Sequence, residues 1–453
     1  MTGAELLVVL SLATSGDSEW KGVADALAAK HAPARVAQLA VEPSVTNALE
    51  GIRAAKPRYV AFVMRPEEVD FATTVALKRM MREIDADPFD DAIWGIVTGP
   101  TAADARRIAS SSEPRTVRTA LATTGVGDDV VPGPLYCLSD AYPEGCWRVK
   151  AADGTVTGHS SSNDISHVFA EGWNTLDPDF LLTSSHASQR NLEMPFSRGN
   201  VIPRNGAFYT LPNETLIDYA SGQAKDDLSH RSSRDTHRSL AAPRREKVWL
   251  AAGNCLIADN LAPGDNMVMT ALGFGKVNQF VGYIATTWFG EIGWGTWRYF
   301  GTYRLPLNES YYAANQNLLR ELSETVSNAD AFKPVFAHAA AYDGMLKEVR
   351  RFPFQGRIPL SEQQRFVGRL WDRDATVFYG DPRQRVALAP RAYPVPASDA
   401  DAAPIPIVFP EAKPGRRLVS APEGFEVFVA DDFALVTKWP ELAEGWRGKL
   451  VFE

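Results

Sequence analysis

Cysteine is scarce in this sequence: Cys137, Cys146 and Cys255 are the three cysteines in 453 residues. An odd, low count does not indicate a disulfide framework, and it fits a reducing compartment. A local pair between Cys137 and Cys146 stays open, because both lie in the short segment YCLSDAYPEGC.

Long apolar runs are also missing. No run approaches the roughly 18–20 residues that span a bilayer. The first residues, MTGAELLVVLSLATSGDSEW, have a short apolar core but no positively charged start and no small-residue cleavage pattern. They therefore predict a buried first strand in a cytoplasmic protein, with a signal peptide and secretion as the alternative.

An excess of positive charge is absent, since the net charge is −8 and the sequence pI is near 5.5. This balance argues against nucleic acid or an anionic membrane surface as a partner. The hydrophobic content of 45% with 23% charged residues is ordinary for soluble globular proteins. A core of normal size therefore needs neither disulfides nor metals.

Several familiar chemical signatures are missing. The sequence has no glycine-rich P-loop, no HExxH, no CxxC pair, no GxSxG elbow and no GxGxxG after a strand. Its seven histidines are scattered, with no pair at helical spacing beside carboxylates. No metal site and no dinucleotide cofactor are expected.

What is present is a regular alternation of short apolar runs with helical stretches. Up to about residue 130 it includes ELLVVLSLA, WKGVADALAAKHA, VAQLAV and RYVAFVM, and it returns after the connection TTGVGDDVVPGP. This alternation predicts βαβ units and a mostly parallel α/β sheet. Residues 188–245 contain a long irregular stretch, and the tail after residue 385 is proline-rich and then β-like.

Two of the predicted strands end in reactive side chains. FLLTSSH is an apolar run that ends in His186, and VWLAAGNC is an apolar run that ends in Cys255. Reactive groups collect at the carboxyl ends of parallel strands. An imidazole beside a thiol lowers the thiol pKa from roughly 8.5 and later protonates the leaving amine. We expect His186 and Cys255 to be catalytic, with the backbone N–H groups of Ala187 and Cys255 binding the oxyanion.

Each residue of this pair also has an ordinary structural explanation. A lone buried cysteine is usually an inert small hydrophobe, and a lone histidine is usually a satisfied polar residue. The catalytic interpretation depends on the two occurring together, at matching strand ends, in a chain without metal motifs.

The order of several sequence blocks resembles the caspase–hemoglobinase clan of cysteine peptidases, and within it gingipain-type peptidases and their uncharacterised bacterial relatives. The blocks are DPFDDAIWGIVTGPTAADARRIA, TSSHAS, AAGNCLIAD, GYIATTWFGEIGWGTWRYF and WDRDATVFYGDP. They cover most of residues 55–390. In this clan the residue after the histidine is often glycine, whereas here it is Ala187.

The resemblance implies tandem caspase-like αβα subdomains with mostly parallel sheets. A non-catalytic subdomain is expected over residues 1–130, a catalytic one over 131–390, and a short β-rich C-terminal extension over 391–453. It also implies peptide-bond hydrolysis through a thioester on Cys255, with His186 as general base and acid. Calcium would be compatible with the resemblance, although no ligand-dense loop demands it.

Further residues are candidates for binding a substrate. Trp288, Glu291 and Trp294 lie in the aromatic loop TTWFGEIGWGTW, where Glu291 could select a basic residue before the cleavage site. The alternative is an aromatic cluster that only packs the loop. Asp164 could face the same pocket, but it could equally start a helix.

Other residues close to the two blocks have weaker claims. Glu193 and Asp259 could orient His186, or could simply satisfy the backbone of their loops. The pair Arg244–Arg245 is the kind of bond that an enzyme specific for basic residues cleaves, so self-processing is an open hypothesis.

The leading function is a cysteine-type endopeptidase acting on a peptide or protein substrate. One alternative is a catalytically silent caspase-like scaffold that binds a partner through the aromatic loop. Another is a thiol hydrolase acting on a non-peptide acyl or amide substrate.

Overall fold

The fold is that of a computed structural model, which describes residues 4–112, 115–161, 164–211, 217–218, 223–224, 238–261, 264–325, 347, 349–352, 354, 358–389, 403–441 and 448–453. Within these ranges, every helix is too short or too polar to cross a membrane.

The described helices are α1 Leu12–Gly16, α2 Ser18–Lys30, α3 Leu49–Ala55, α4 Phe71–Met80, α5 Ala102–Ala109, α6 Ser166–Glu171, α7 Met267–Leu272, α8 Glu291–Trp297, α9 Leu307–Thr325 and α10 Leu360–Asp374. Helix α2 shows why such segments are helical. The Asp17 side chain accepts hydrogen bonds from the first backbone N–H groups, and apolar residues at a spacing of three to four form one buried stripe.

The described strands in the first half of the chain are β1 Leu6–Ser11, β2 Val36–Val41, β3 Tyr59–Val63, β4 Ile93–Val97, β5 Arg115–Val117, β6 Ala120–Ala122, β7 Leu135–Leu138, β8 Cys146–Lys150, β9 Val156–Ser160, β10 Phe180–Thr183, β11 Ala187–Ser188, β12 Asn191–Glu193, β13 Asn200–Arg204 and β14 Ala207–Leu211. Those in the second half are β15 Ile217–Asp218, β16 Gln223–Ala224, β17 Arg238–Ser239, β18 Lys247–Ala251, β19 Val277–Tyr283, β20 Thr376–Gly380, β21 Val386–Leu388, β22 Ile405–Val408, β23 Leu418–Ser420, β24 Glu426–Val429, β25 Phe433–Lys438 and β26 Val451–Phe452.

Twelve of the described strands form one sheet, in the order β2-β1-β3-β4-β20-β19-β18-β10-β6-β7-β8-β9. Most neighbours are parallel, including β1 with β3 and β10 with β18, whereas β20 runs antiparallel to β19. Non-consecutive neighbours require crossover connections, which the helices provide. The predicted α/β class with a mostly parallel sheet is confirmed.

The sheet is covered on both faces. In β18, Trp249 and Ala251 point into a core shared with α2, α5 and α7, while Val248 and Leu250 point into a core shared with α8, α9 and α10. Successive side chains of a strand point to opposite faces, so this alternation places a helical layer on each side. The molecule therefore has three layers, αβα.

The sheet is continuous across the predicted domain boundary at residue 130. The short strand β6 lies before that boundary in sequence, yet it pairs with β10 and β7, which lie after it. The division into 1–130, 131–390 and 391–453 stays a prediction.

The stretch predicted as irregular is partly a small antiparallel sheet, in the order β11-β12-β13-β14-β17. The prediction was wrong for residues 188–211, because the short antiparallel strands there lack the long apolar runs of the central strands. Within the rest of this stretch, residues 212–216, 219–222 and 225–237 lie outside the described residues.

The described residues of the C-terminal extension form two small sheets, β22-β25-β24 and β23-β26. Its residues Phe433 and Leu435 pack in one cluster with Phe89, Ile93 and Tyr312 of the main body. The extension therefore carries the extra β structure that the sequence predicted.

The local cysteine pair does not form. Cys137 lies opposite Arg148 in the antiparallel β7–β8 register, and both Cys137 and Cys146 are free.

Candidate active site

The two strands predicted to carry the reactive residues are neighbours. β10 and β18 run in parallel, in register from Phe180 opposite Val248 to Thr183 opposite Ala251. His186 follows the end of β10, and Cys255 follows the end of β18. Since both strands run in the same direction, the two residues leave the sheet at the same edge.

Side-chain hydrogen bonds continue this pairing beyond the strands. The Thr183 hydroxyl donates to Asn254 Oδ1 over 2.5 Å, and Asn254 Nδ2 donates to the Ser185 carbonyl over 2.7 Å. Trp249 Nε1 donates to the Thr183 hydroxyl over 2.9 Å. The residue before Cys255 is therefore bonded to the residue before His186.

His186 itself is exposed at the surface of this edge. Its carbonyl accepts from the backbone N–H of Glu193 over 2.9 Å, and the Ser185 hydroxyl donates to the Glu193 carbonyl over 2.5 Å. The β11–β12 hairpin thus holds the backbone of His186 while leaving its side chain toward solvent.

Cys255 sits at a sharp turn. The next residue, Leu256, has a left-handed backbone with φ 59°, which is strained for a branched side chain. The Cys255 sulfur lies 3.8 Å from the Thr287 carbonyl oxygen. The turn presents the thiol at the end of β18, against the loop that follows β19.

The charge state of the thiol differs from the expectation. Burial raises the pKa of the Cys255 thiol, and the Asp372 carboxyl nearby acts in the same direction. The expected lowering is not found, because loss of hydration penalises the thiolate. The thiol is therefore protonated near neutral pH in this resting state.

Asp372 organises the loop beside the thiol. Its fully buried carboxylate accepts from the Glu291 backbone N–H over 2.6 Å and from the hydroxyls of Tyr283 and Thr287, each over 3.3 Å. Burial raises the pKa of Asp372 to about 7. Helix α10 thereby anchors the segment that carries Thr287 next to Cys255.

Of the predicted substrate-binding residues, Trp294 lies close to the cysteine block. It is 36% exposed, and its indole Nε1 is 3.6 Å from the position that a Cβ on Gly253 would take. The hydroxyl of Ser184 lies still closer to that same position. The segments leading to His186 and Cys255 therefore meet the aromatic helix α8 at Gly253. Trp288 is partly buried and packs into the core.

Glu291 has a basic partner within the protein. Its carboxylate lies 3.4 Å from Arg369 Nε, and Arg369 Nη2 lies 3.0 Å from Glu321. A basic substrate side chain would have to compete with Arg369, so the role of Glu291 in selecting basic residues stays a prediction.

Asp164 lies at the start of α6. Its Oδ1 accepts from the Ser166 backbone N–H over 2.8 Å and from the Ser166 hydroxyl, and its carboxylate packs against Gly199. The residue at the cap position of α6 is Ile165, one position after Asp164, and both the helix-start role and substrate binding by Asp164 stay predictions.

The two candidate orienting carboxylates are buried near the site. Glu193 Oε2 accepts from the Ser197 hydroxyl over 2.8 Å, and Asp259 Oδ2 accepts from Gln189 Nε2 over 2.9 Å. Orientation of His186 by either one stays a prediction, as does oxyanion binding by the N–H groups of Ala187 and Cys255.

Among the described residues, Asp85, Asp87 and Asp91 can bring carboxylate oxygens within 4.8 Å of one another. Oxygen donors of this kind suit Ca²⁺ or Mg²⁺. Asp85 and Asp91 line a cavity of about 490 Å³ together with Glu5. Glu5 precedes β1 and pairs with Arg383, which follows β20, so the cavity lies at the edge opposite Cys255. Calcium binding stays a prediction.

Comparisons with known proteins add little to this geometry. No family model matches the chain, and no curated protein matches it. Among solved structures, the complex of Porphyromonas gingivalis RgpB pro- and mature domains is similar over 99% of this chain and 96% of that chain, with 10% sequence identity and a TM-score of 0.39. At this distance the likeness identifies no residue role, substrate or activity in this chain.

Two residues near the site were missed by sequence reasoning. The sequence pattern predicted no role for Asn254, which precedes Cys255 in VWLAAGNC, and none for Asp372. One signal was available for Asn254: an amide that follows an apolar strand is buried, and buried amides need partners. Asp372 gave no comparable signal, since charged residues are common on helices.

Proposed function

We propose that this protein is a cysteine-type endopeptidase of the gingipain-like kind. It cleaves peptide bonds through a thioester on Cys255, with His186 as general base and acid. The observation that carries the proposal is the parallel register of β10 and β18, extended by the hydrogen bond from Asn254 to Ser185. A histidine and a cysteine at matching ends of paired strands are the parts that nucleophilic catalysis requires.

The raised pKa of the thiol determines how the first step proceeds. Because Cys255 is protonated at rest, His186 removes the thiol proton as sulfur attacks the substrate carbonyl carbon. The backbone N–H groups of Ala187 and Cys255 stabilise the oxyanion. This differs from a preformed thiolate–imidazolium pair, in which the proton transfer precedes substrate binding.

The remaining steps need only these two residues and water. The C–N bond breaks, and the leaving amine takes the proton held by His186. Water then attacks the thioester, with His186 as base, and releases the new carboxyl group and the Cys255 thiol. Trp294 of α8 lies against Gly253, two residues before Cys255, and we infer that a peptide would lie along this part of α8.

A panel of fluorogenic peptides tests the proposal, with Arg, Lys, Asp, Asn or an apolar residue before the cleavage site. The wild type should cleave at least one class, and Cys255→Ala and His186→Ala should each abolish that cleavage. Acid quenching during turnover should trap an acyl group on Cys255, detected by mass spectrometry. Cleavage that survives Cys255→Ala would refute the proposal.

A second candidate is a catalytically silent scaffold that binds a protein partner through the aromatic loop. It is favoured by the raised pKa of Cys255 and by the exposure of Phe289 and Trp294, at 43% and 36%. It predicts no turnover and no acyl adduct in the wild type. An acyl adduct from an ester but not from any peptide would instead indicate a hydrolase of non-peptide acyl substrates.

A further inference from the structure

The side chain of Asn254 is fully buried between the two strand ends. Its Oδ1 accepts from the Thr183 hydroxyl over 2.5 Å, and its Nδ2 donates to the Ser185 carbonyl over 2.7 Å. Both ends of one amide are thus bonded to the segment that leads to His186. Because both of its polar atoms are hydrogen-bonded, the amide is buried without leaving a polar group unpaired.

The orientation of this amide is determined by its neighbours. Trp249 Nε1 can only donate, and it donates to the Thr183 hydroxyl over 2.9 Å. The Ser185 carbonyl can only accept, so the amide must present its nitrogen there. Its oxygen then faces the Thr183 hydroxyl, which accepts from Trp249 and donates its own proton to Asn254 Oδ1. A flipped amide would place its oxygen against the Ser185 carbonyl and lose that bond.

The bridge begins where the backbone pairing ends. The Ala252 N–H donates to the Thr183 carbonyl over 2.8 Å, as the last bond of the parallel ladder. Beyond it the chains lack a regular ladder, and Asn254 takes over by contacting positions 183 and 185 together. Two contacts two residues apart restrain both sliding and rotation of one segment against the other.

We infer that Asn254 is a positioning residue, which sets the placement of the Cys255 thiol relative to the His186 imidazole through the Thr183–Asn254–Ser185 bridge. The inference rests on the proposed peptidase function. Asn254 does not touch the substrate or the reacting atoms in this role. It acts through Cys255, which it precedes in the chain, and through Thr183 and Ser185, to which it is hydrogen-bonded.

The test compares Asn254→Asp with Asn308→Asp in the full chain. Asn308 is also buried, and its Nδ2 donates to the Pro382 carbonyl over 2.7 Å. Pro382 follows β20, which runs antiparallel to β19, so this contact lies at the sheet edge opposite Cys255. Both substitutions put a carboxyl oxygen against a carbonyl oxygen, which makes their structural cost comparable.

Two readouts separate positioning from stability. The first is peptide hydrolysis, where Asn254→Asp should lower kcat by about 100-fold with little change in KM, as expected for a displacement of about 1 Å in the reacting groups. The second is the NMR signals of the His186 ring nitrogens during a pH titration. In the wild type, the chemical shifts of these nitrogens should show a second titration step at the pH where Cys255 ionises. Cys255→Ala should remove this step. Asn254→Asp should abolish that step, and Asn308→Asp should retain it.

The outcomes distinguish the inference from the proposed function. If the wild type neither cleaves peptides nor shows the Cys255 step, the peptidase function fails. If the wild type shows both and Asn254→Asp keeps both, the positioning role of Asn254 is refuted while the function stands. Should Asn254→Asp not fold, Thr183→Val removes only the hydroxyl from the bridge and should lower kcat in the same direction, whereas an unchanged kcat would refute the inference.

Discussion

Asn254 Nδ2 lies 2.7 Å from the carbonyl oxygen of Ser185, and this bond joins the residues that immediately precede Cys255 and His186. It extends the pairing of β10 and β18 past the last backbone hydrogen bond between them. In the proposed mechanism, Cys255 as nucleophile and His186 as base need relative placement within a fraction of an ångström. A rigid, buried amide supplies that restraint better than two flexible loops could.

The ionisation of Cys255 should respond to Asp372. Burial raises the pKa of the thiol, and the carboxyl of Asp372 adds to the effect. Asp372→Asn removes this negative charge, so the midpoint of Cys255 alkylation against pH should fall below that of the wild type. The difference should develop above about pH 7, where Asp372 ionises.

The measurement is the rate of iodoacetamide alkylation at several pH values, with the adducts located by mass spectrometry. Cys146, which is partly exposed, serves as the internal control, because the fully buried Cys137 is closed to the reagent. The alkylation rate of Cys146 at each pH should be the same in both proteins. An unchanged midpoint for Cys255 in Asp372→Asn would show that the carboxyl does not act on the thiol.

Gly293 should tolerate no side chain. A Cβ at this position in α8 would overlap the carbonyl oxygen of Ala252, which follows β18. Gly293→Ala should therefore push α8 away from the cysteine block, lower stability by about 1–3 kcal/mol and reduce activity.

Gly22→Ala is the matched control within a helix. The position in α2 has space, because the nearest atom to a new Cβ is Arg106 Nη1 at 3.7 Å. This variant should gain roughly 0.5–1 kcal/mol by reducing backbone entropy in the unfolded chain. Denaturant unfolding checks both variants, and equal effects of the two would contradict the close contact at Gly293.

Self-processing at Arg244–Arg245 should not occur within one molecule. The backbone N–H groups of Arg244 and Arg245 both donate to Asp177 Oδ2 over 3.2 Å. These hydrogen bonds keep this backbone from extending along the candidate active site as a substrate would. The pair also precedes β18, while Cys255 follows it, and five strand residues span about 16 Å. Intact-mass measurement after incubation should show no cut at this bond. A cut in the wild type that is missing in Cys255→Ala, at a rate independent of protein concentration, would overturn this expectation.

Asp91→Asn should stabilise the protein at neutral pH. Burial, with the carboxylates of Asp85 and Asp87, raises the pKa of Asp91 to about 9. Since the folded pKa lies above the unfolded value, the wild type loses stability as pH rises from about 4 toward 9. Asparagine does not titrate and avoids this loss. Because Asp91 is partly exposed, the gain at pH 7 is on the order of 1 kcal/mol.

Thermal unfolding at pH 5, 7 and 9 in the presence of EDTA checks this sign. The stabilisation should grow with pH over that range. Asp25→Asn is a control of opposite sign, because the hydrogen bond from Lys21 lowers the pKa of Asp25. A gain for Asp91→Asn that does not vary with pH would point to packing rather than charge.

Local periodicity was enough to predict the strands that end near His186 and Cys255. Short apolar runs such as FLLT and VWLA, bounded by small or polar residues, are typical of the buried strands of a parallel sheet, and both form strands here. The order of the strands could not be predicted, because β20 enters the sheet between β4 and β19 from far along the chain. The short antiparallel strands within residues 188–211 were missed because their register depends on short turns rather than on apolar runs.

The sequence by itself determined the fold class and the residue types available for chemistry: one histidine and one cysteine at the ends of apolar strands. Tertiary structure alone decided what surrounds them. The bonds of Asn254 to Thr183 and Ser185 join residues about 70 positions apart, and Asp372 reaches Thr287 from a distant helix. The raised pKa of Cys255 has the same origin, since desolvation depends on every segment packed around a group. Strand propensity acts over a few neighbouring residues, whereas burial and partnering are properties of the whole fold.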